Sequence, residues 1–545
     1  MTTTPSIARS SLAMAGGSVA SRLLGVVRQS LIVLAIGQGL TGNAFQTANT
    51  LPNVIYMIIA GGVLNSILVP QLVRAARNPD GGRDFTDRIL TLAGVGFLVV
   101  TVVCTAGAGL LIRLYATDIE PDALSLATFF AFLTVPQIFF YGLYAVFGQV
   151  LNARGQFAAF GWSPALANVV QIIGLVAFMG FFDGHVRPGQ WSAPMVWVFA
   201  GTATLSIVVQ ALFLLVPLWR SGFRWTPRFG LRGVGLAMTS RVAAWAFAAL
   251  IVSQLGYLVA SKVIWHASEQ ADNLHRFIPG ILVYSNALFV FIVPHSFVAL
   301  SIITALYPRI STAAQAGETT VLRREYARGL TVPTALTLPA SFALLAFALP
   351  VTVLLFSSRD PAELPATAQV LAAMALGVVP FGIDVLNQRF FYAHDDGRTA
   401  FWEQVVLTGS ATVITLVTLL LRPEHTVAII GLGIVVSNTL SALFGMWFVR
   451  KRLGHLGFRG IIRSYLSIGL ASLVAVGIAW PVVLGFDGLV HGRAGALLTL
   501  VVAGAVFGIA YLLMASVLQI REVWDLLDPV LRRLATRGHR TRDGR

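Results

Sequence analysis

Two arginines lie inside the first long apolar stretch of the chain, where a charged side chain needs a partner or a function. Arg22 and Arg28 fall within residues 13–36, and a charge at the centre of a membrane helix costs at least about 2.5 kcal/mol. On a helix the two residues are about 9 Å apart along the axis. Because the guanidinium group forms paired hydrogen bonds with phosphate, both arginines are candidates for binding an anionic substrate. The alternative for each is that its side chain reaches the membrane surface or pairs internally.

Nearby amide side chains extend this candidate binding site. Gln29 follows the second arginine, and Asn49 and Asn53 share one face of the second apolar stretch with Asn43 and Gln46 at helical spacing. These amides either line the same cavity as the arginines or form hydrogen bonds between helices.

Three charged residues in the second half of the chain are secondary candidates. Arg241 lies near the end of a span, where reaching the headgroups costs little, and Arg389 pairs either with Asp384 or with phosphates. Asp384 is the only carboxylate that we expect well inside a span, since Glu403 falls near a span end. An excess of buried positive charge favours an anion as the substrate.

The sequence predicts neither a catalytic centre nor a metal site. It contains no zinc-binding HExxH and no phosphate-binding GxxxxGK motif, and its histidines are scattered. The single cysteine, Cys104, lies in an apolar run and has no partner for an intramolecular disulfide. We therefore expect a transporter without a cofactor, driven by a coupling ion of unknown identity or by the membrane potential.

The composition requires lipid as the solvent. Of the 545 residues, 56% are hydrophobic and 11% charged, and the mean hydropathy is +0.79, which leaves too little polar surface for a water-soluble globule. Spans of about 20 apolar residues predict an all-α polytopic membrane protein with about fourteen transmembrane helices. These spans begin near residues 10, 44, 89, 124, 158, 193, 233, 279, 330, 366, 400, 426, 463 and 493.

The distribution of basic residues predicts the orientation. The formal net charge is +15, and most arginines fall in loops on one side of the membrane if the N-terminus is inside the cell. The positive-inside rule then places both termini of this multi-pass protein in the cytoplasm. The positive charge therefore indicates contact with anionic lipid rather than with nucleic acid.

Two pairs of similar segments indicate an internal repeat. Residues 68–76 resemble 306–314, and 151–154 resemble 391–394, an offset of about 240 residues that fits a duplicated six-span unit. The predicted regions are two six-helix lobes related by pseudo-two-fold symmetry at 1–228 and 229–456, two additional helices at 457–520, and a basic amphipathic cytoplasmic tail at 521–545.

Several motifs resemble the MurJ (MviN) family of lipid II flippases, which belongs to the multidrug, oligosaccharidyl-lipid and polysaccharide exporter superfamily. The resemblance covers essentially the whole chain. It is carried by SRLLGVVR at 21–28, LPN at 51–53, VP at 69–70, LNARGQF at 151–157 with Pro164 and Asn168, and FYA at 391–393 followed by Asp395 and Asp396. It implies fourteen spans, two lobes around a cationic cavity, a groove for the polyprenyl tail in the last two helices, and headgroup contacts by Arg22 and Arg28.

The chain departs from the family pattern at charged positions. Gln29 and Asn43 stand where acidic residues are usual, and the usual arginine of span two falls at Tyr56 or Met57. A charged pair of span eight aligns with two apolar residues, Phe289 and Ile292. The pattern is similar to the actinobacterial branch, in which chains can carry a cytoplasmic pseudokinase extension that we do not expect here.

These observations predict a lipid II flippase for cell-wall (peptidoglycan) synthesis that moves an anionic polyprenyl-diphosphate-linked headgroup from the inner to the outer leaflet by alternating access. A cation-coupled multidrug exporter that depends on Asp384 is one alternative. A non-transporting scaffold for cell-wall enzymes is another. The expected partners are the lipid-linked precursor, membrane lipids, and proteins of cell-wall synthesis and division.

Overall fold

The chain folds into long helices joined by short connections. The computed structural model describes residues 7–60, 83–116, 119–154, 156–230, 241–270, 276–487 and 492–528, and these contain helices and turns but no strand. In lipid, a helix satisfies its own backbone hydrogen bonds, which is why apolar runs of this length become helices. The prediction of an all-α polytopic membrane protein is confirmed.

The helices group into two compact units, each of which has its own core. Unit 1 comprises Met1–Val283, Leu355–Glu363 and Arg422–Glu424, and unit 2 comprises the remainder. The described helices of unit 1 are α1 (Ile7–Ile36), α2 (Leu40–Ile59), α3 (Arg83–Ala106), α4 (Ala108–Tyr115), α5 (Pro121–Thr134), α6 (Gln137–Ala153), α7 (Phe157–Phe181), α8 (Ala193–Phe213), α9 (Leu215–Arg220) and α10 (Arg241–Ser268).

Unit 2 is built from the helices that follow, except that residues 281–283, Leu355 and Glu363 belong to unit 1. They are α11 (Ile281–Pro294), α12 (Leu300–Ala316), α13 (Thr319–Ala346), α14 (Ala348–Leu355), α15 (Glu363–Ala375), α16 (Val378–Ala393), α17 (Gly397–Val417), α18 (Thr426–Leu453), α19 (Phe458–Asp487) and α20 (Gly492–Val517). The last two pack along each other and against α13, through small buried residues such as Ala475 and Ala503.

The number of membrane-spanning helices agrees closely with the sequence. Within the described residues, 12 helical segments are long and apolar enough to cross a membrane, and the number is 13 if α15 and α16, bent by 49° relative to each other, are counted as one broken span. The predicted span near residue 44 corresponds to α2, whose 20 residues are not among these segments. The predicted tail at 521–545 is helical at 521–528, and its remainder lies outside the described residues, as does the repeat segment 68–76.

Unit 1 is held together by a close contact between α1 and α7. A Cβ atom at Gly17 would lie 2.6 Å from the backbone carbon of Gly161, so only glycine permits this approach. Small residues at such contacts let membrane helices pack closely. Further along, Asn168 on α7 donates to the backbone oxygen of Ser21 on α1 at 2.8 Å, which fixes the register of the two helices.

Asn43 is a structural residue of unit 1. Its side chain is 1% exposed, and its Oδ1 accepts a hydrogen bond from the backbone of Leu282 at 3.1 Å. The side chain also fills the space beside Gly280, where a Cβ would lie 2.0 Å from it. Of the two readings of the amides on α2, hydrogen bonding between segments therefore applies to Asn43.

Replacing Asn43 with alanine is expected to destabilise the protein by about 1–3 kcal/mol, because the buried Leu282 amide loses its acceptor. The thermal midpoint of the purified full chain in detergent measures this loss. The matched control is Asn53→Ala, which changes an exposed amide on the same helix and should leave the midpoint unchanged. Equal midpoints for the two variants would contradict the structural role.

Candidate functional site

Arg28 is a half-buried cation that no acidic side chain neutralises among the described residues. Its Nη1 donates to Oε1 of Gln171 at 3.4 Å, and its Nε is buried without an acceptor in the part of the chain that the structure describes. Gln171 itself is 3% exposed and lies on α7. A guanidinium with unused donors and only a neutral partner is suited to bind an anion.

One tyrosine lies near this arginine, and it packs against a second tyrosine on α2. Tyr141 on α6 is close enough to Arg28 to interact with it electrostatically. The ring of Tyr56 lies 5.7 Å from that of Tyr141 and 6.2 Å from that of Phe97. Tyr56 is one of the two positions where the family pattern has an arginine, so here an aromatic cluster occupies the neighbourhood of that missing charge.

The other predicted residues of unit 1 are distributed along α1, α2 and α10. Arg22 is exposed and Gln29 half-buried on α1, while Asn49 is half-buried and Asn53 exposed on α2. Arg241 is exposed on α10, and its position near a span end stays a prediction. Their roles in substrate binding stay predictions.

Unit 2 contains a second buried polar site, formed by four helices. Asp384 and Asn387 on α16, Glu403 on α17, Ser441 on α18 and Tyr326 on α13 are each at most 2% exposed. Ser441 donates to Asp384 at 2.5 Å, Asn387 donates to Glu403 at 2.9 Å, and Tyr326 donates to Asn387. We refer to these five residues as the acid cluster.

The two carboxyl groups of the acid cluster interact with each other directly. Asp384 and Glu403 are in hydrogen-bonding proximity, and Oε2 of Glu403 has no donor among the described side chains. Within the described residues neither carboxyl group forms an ion pair, in contrast to Glu325, which pairs with Arg328 at 3.3 Å. Two adjacent buried carboxylates without a cation repel each other and lose hydration, so the pair is suited to hold a proton between its oxygens.

The structure places the other charges of unit 2 as follows from its helix packing. Glu403, which we predicted near a span end, lies early in α17 and is nevertheless 0% exposed. Arg389 does not pair with Asp384, because its guanidinium lies over the ring of Tyr307, 5.3 Å from the centroid. The remaining hydrogen bond to Asp384 comes from Gln388 at 3.0 Å.

Sequence reasoning missed Gln171, Tyr141, Asn387 and Ser441. The spacing of Asn168 and Gln171 in an otherwise apolar stretch was a usable signal for a polar face on α7. No comparable signal marks the contact of Asn387 with Glu403, which depends on how α16 and α17 pack. No group of three or more metal-ligating side chains occurs among the described residues.

A charged loop cluster of unit 1 lies outside the membrane-spanning segments. Arg359 donates to Asp183 at 3.0 Å, and the backbone amide of His185 donates to the same oxygen at 3.1 Å. The hydrogen bond from His185 lowers the pKa of Asp183. Burial, reinforced by the nearby Arg359 charge, lowers the pKa of His185 below its ordinary value of 6.5.

The His185 shift predicts a loss of stability in mild acid. The folded state disfavours the charged imidazole, so the unfolded chain binds the proton first and stability falls as the pH drops below about 6.5. Asp183 contributes only at lower pH, since its stabilisation is lost when the carboxylate is protonated. Thermal midpoints at pH 7.5 and 5.5 should differ less in His185→Gln than in the wild type. An identical pH dependence in both would contradict the assignment.

Comparison with known proteins identifies the family. A family model described as "Lipid II flippase MurJ" matches residues 32–534. The chain belongs to this family. A probable lipid II flippase MurJ of Synechocystis sp. is 26% identical, with 83% of this chain and 84% of the relative covered. The lipid II flippase MurJ of Burkholderia cenocepacia is 25% identical over 88% and 90% of the two chains.

Solved structures share the fold of this MurJ family member. A lipid II flippase MurJ in an inward closed conformation superposes with a TM-score of 0.70 at 16% identity, covering 93% of this chain and 98% of that one. An inward-facing multidrug transporter of the MATE family gives 0.65 at 17% identity, with 80% and 95% covered. The resemblance found in the motifs is therefore confirmed, and assignment to an actinobacterial branch stays a prediction.

Proposed function

We propose that this MurJ family member moves lipid II from the inner to the outer leaflet of the bacterial cytoplasmic membrane by alternating access, with Arg28 as the main ligand of the diphosphate-linked headgroup. The observation that carries the proposal is the unneutralised Arg28 guanidinium between α1 and α7. A cation in this position attracts an anionic headgroup, and its planar donors suit phosphate oxygens.

The chemistry around Arg28 fits a large polar headgroup as well as its phosphates. Gln171 and Tyr141 add an amide and a hydroxyl group beside the guanidinium. Such groups form hydrogen bonds with sugar and peptide moieties without adding negative charge. In this proposal Arg22 on α1 and the amides of Asn49 and Asn53 on α2 extend the binding surface along the headgroup. Gln29 is neutral where the family usually has an acidic residue, so this surface lacks that negative charge.

We propose that the acid cluster couples transport to a proton. Two interacting carboxyl groups without a basic partner take up or release a proton with a small change in their surroundings. The cluster joins α13, α16, α17 and α18, so a change in its hydrogen bonds alters the packing of four helices at once. An inside-negative potential also favours outward movement of an anion, by about 2.3 kcal/mol per charge per 100 mV.

Depletion of the protein in its native cell tests the function. The measurement is the amount of lipid-linked peptidoglycan precursor that an externally added enzyme or label can reach. We expect this amount to fall on depletion and to recover when the wild-type chain is restored. Unchanged accessibility together with reduced dye efflux would instead indicate the multidrug exporter.

The scaffold alternative is tested with the same cells. A non-transporting scaffold for cell-wall enzymes predicts that variants of Arg28 and of the acid cluster retain full function, while loop or tail variants lose it. The flippase proposal predicts the opposite pattern. The two outcomes cannot both occur, so one set of complementing variants separates them.

A further inference from the structure

An apolar pocket opens on the surface of unit 1, and Arg28 is not among the residues that line it. It has a volume of about 670 Å³ and lies between α3, α6, and the segment from the end of α8 to α9. Gly94 and Leu98 form its wall on α3, Phe139 and Leu143 on α6, and Leu215 the opposite side. The volume falls within the range of about 300–1,000 Å³ that small-molecule sites have.

Exposed apolar side chains on candidate membrane spans line this pocket. Leu98 on α3 is 50% exposed and Trp219 on α9 is 64% exposed, and both lie within segments that are long and apolar enough to cross a membrane. Exposed apolar side chains on such helices contact lipid. Whatever fills this pocket therefore enters from the bilayer.

An ordered segment after α9 forms the roof of the pocket. We call residues 223–230 the strap. Trp225 donates to Thr91 at 3.3 Å, Thr226 donates to Asp87 at 2.6 Å, and Arg228 donates to Asp84 at 2.6 Å. These bonds fasten the strap to the first turns of α3, so the roof is a built part of the fold.

The strap places a cation at the edge of the apolar space. Arg224 lines the pocket and is exposed, and among the described residues no carboxylate pairs with it. Arg228, four residues along, is paired with Asp84 instead. Trp219 and Trp225 flank the same edge, and tryptophan is enriched at the headgroup level of membranes.

We propose that this pocket binds an anionic glycerophospholipid, with one acyl chain in the apolar space and the phosphate on Arg224. The site combines an apolar cavity open to the bilayer with a cation at headgroup level, which is the arrangement an anionic amphiphile requires. The predicted orientation, with both termini in the cytoplasm, puts Arg220, Arg224 and Arg228 on the cytoplasmic side of the membrane, so the lipid comes from the cytoplasmic leaflet. The proposal is independent of lipid II transport, because none of the residues that line this pocket belongs to the Arg28 site or to the acid cluster.

Binding of the acyl chain in the pocket is tested by filling the pocket with a larger side chain. A Cβ atom at Gly94 meets no atom within 4 Å, so Gly94→Phe places a ring in the cavity. Gly96 on the same helix also has open space but does not line the pocket, which makes Gly96→Phe the matched control. The full chain is reconstituted in nanodiscs that contain phosphatidylglycerol with a photoreactive acyl chain, and crosslinked peptides are identified by mass spectrometry.

We expect crosslinks to α3, α6 and α8 in the wild type and in Gly96→Phe, and at least a tenfold loss of these crosslinks in Gly94→Phe. Crosslinks of equal yield in all three proteins would contradict the proposal that this pocket binds the acyl chain. Thermal midpoints of the variants confirm that each is folded.

The headgroup is tested with Arg224→Gln and with Arg220→Gln as its control, because Arg220 is exposed nearby but does not line the pocket. We expect the wild type and Arg220→Gln to prefer phosphatidylglycerol over phosphatidylcholine about fivefold at this site, and Arg224→Gln to lose the preference. No preference in the wild type would overturn the anionic headgroup. Displacement of the crosslinked phospholipid by an equimolar amount of a polyprenyl phosphate would overturn the phospholipid as the occupant.

Discussion

Arg28→Ala is expected to reduce lipid II translocation by about 10- to 100-fold at an unchanged protein level. The reason is the loss of charge-assisted hydrogen bonds to the headgroup, each worth about 1.5–3 kcal/mol. Gln171, the hydrogen-bond partner of Arg28, is neutral and does not replace the missing charge. The measurement is the rate at which labelled lipid II becomes accessible on the far side of proteoliposomes.

Two further variants determine which property of Arg28 matters. Arg28→Lys retains the charge but loses the planar arrangement of donors, so we expect an intermediate rate. Arg113→Ala removes an exposed arginine at the end of α4 and should translocate at the wild-type rate. A wild-type rate in Arg28→Ala would remove this residue from the mechanism and leave Arg22 as the candidate cation of α1.

Glu403→Gln is expected to produce the second large effect, a loss of at least about tenfold in translocation driven by a pH gradient. Glutamine keeps the shape and the hydrogen bond from Asn387 to the Oε1 position, but it cannot take up or release a proton at neutral pH. The fold should therefore persist while proton coupling is lost. Translocation is measured in proteoliposomes with and without an imposed pH gradient.

The control for this variant is Glu325→Gln, which changes a buried carboxylate that is paired with Arg328 on the same helix. We expect Glu325→Gln to keep the response to the pH gradient even if it is less stable. If Glu403→Gln also keeps the full response, the acid cluster is a structural network and the membrane potential alone drives transport. Gly445→Ala is a steric test of the acid cluster, because the added Cβ would lie 2.1 Å from Oε1 of Glu403 and one of the two groups would have to shift.

The sequence alone determined the solvent of this protein and the position of its helices. A bilayer is a nearly uniform apolar medium, so a long apolar run must become a spanning helix wherever its partners are. For this reason the predicted starts near 193 and 426 coincide with the starts of α8 and α18. The sequence also singled out Arg28, because the high cost of a charge in lipid holds for a single residue without knowledge of its neighbours.

Only the tertiary structure decided which polar side chains meet. Gln171 is 143 residues from Arg28, and Ser441 is 57 residues from Asp384, so neither contact has a periodicity that a local pattern could display. Such contacts depend on which helix faces pack together, and helix packing in lipid is set by close fit and interhelical hydrogen bonds rather than by apolar burial. The same reason explains why Asn43, predicted on the face of the candidate site, instead binds the backbone of Leu282. The bilayer thus specifies each helix separately, while the acid cluster and the lipid pocket exist only once several helices have packed.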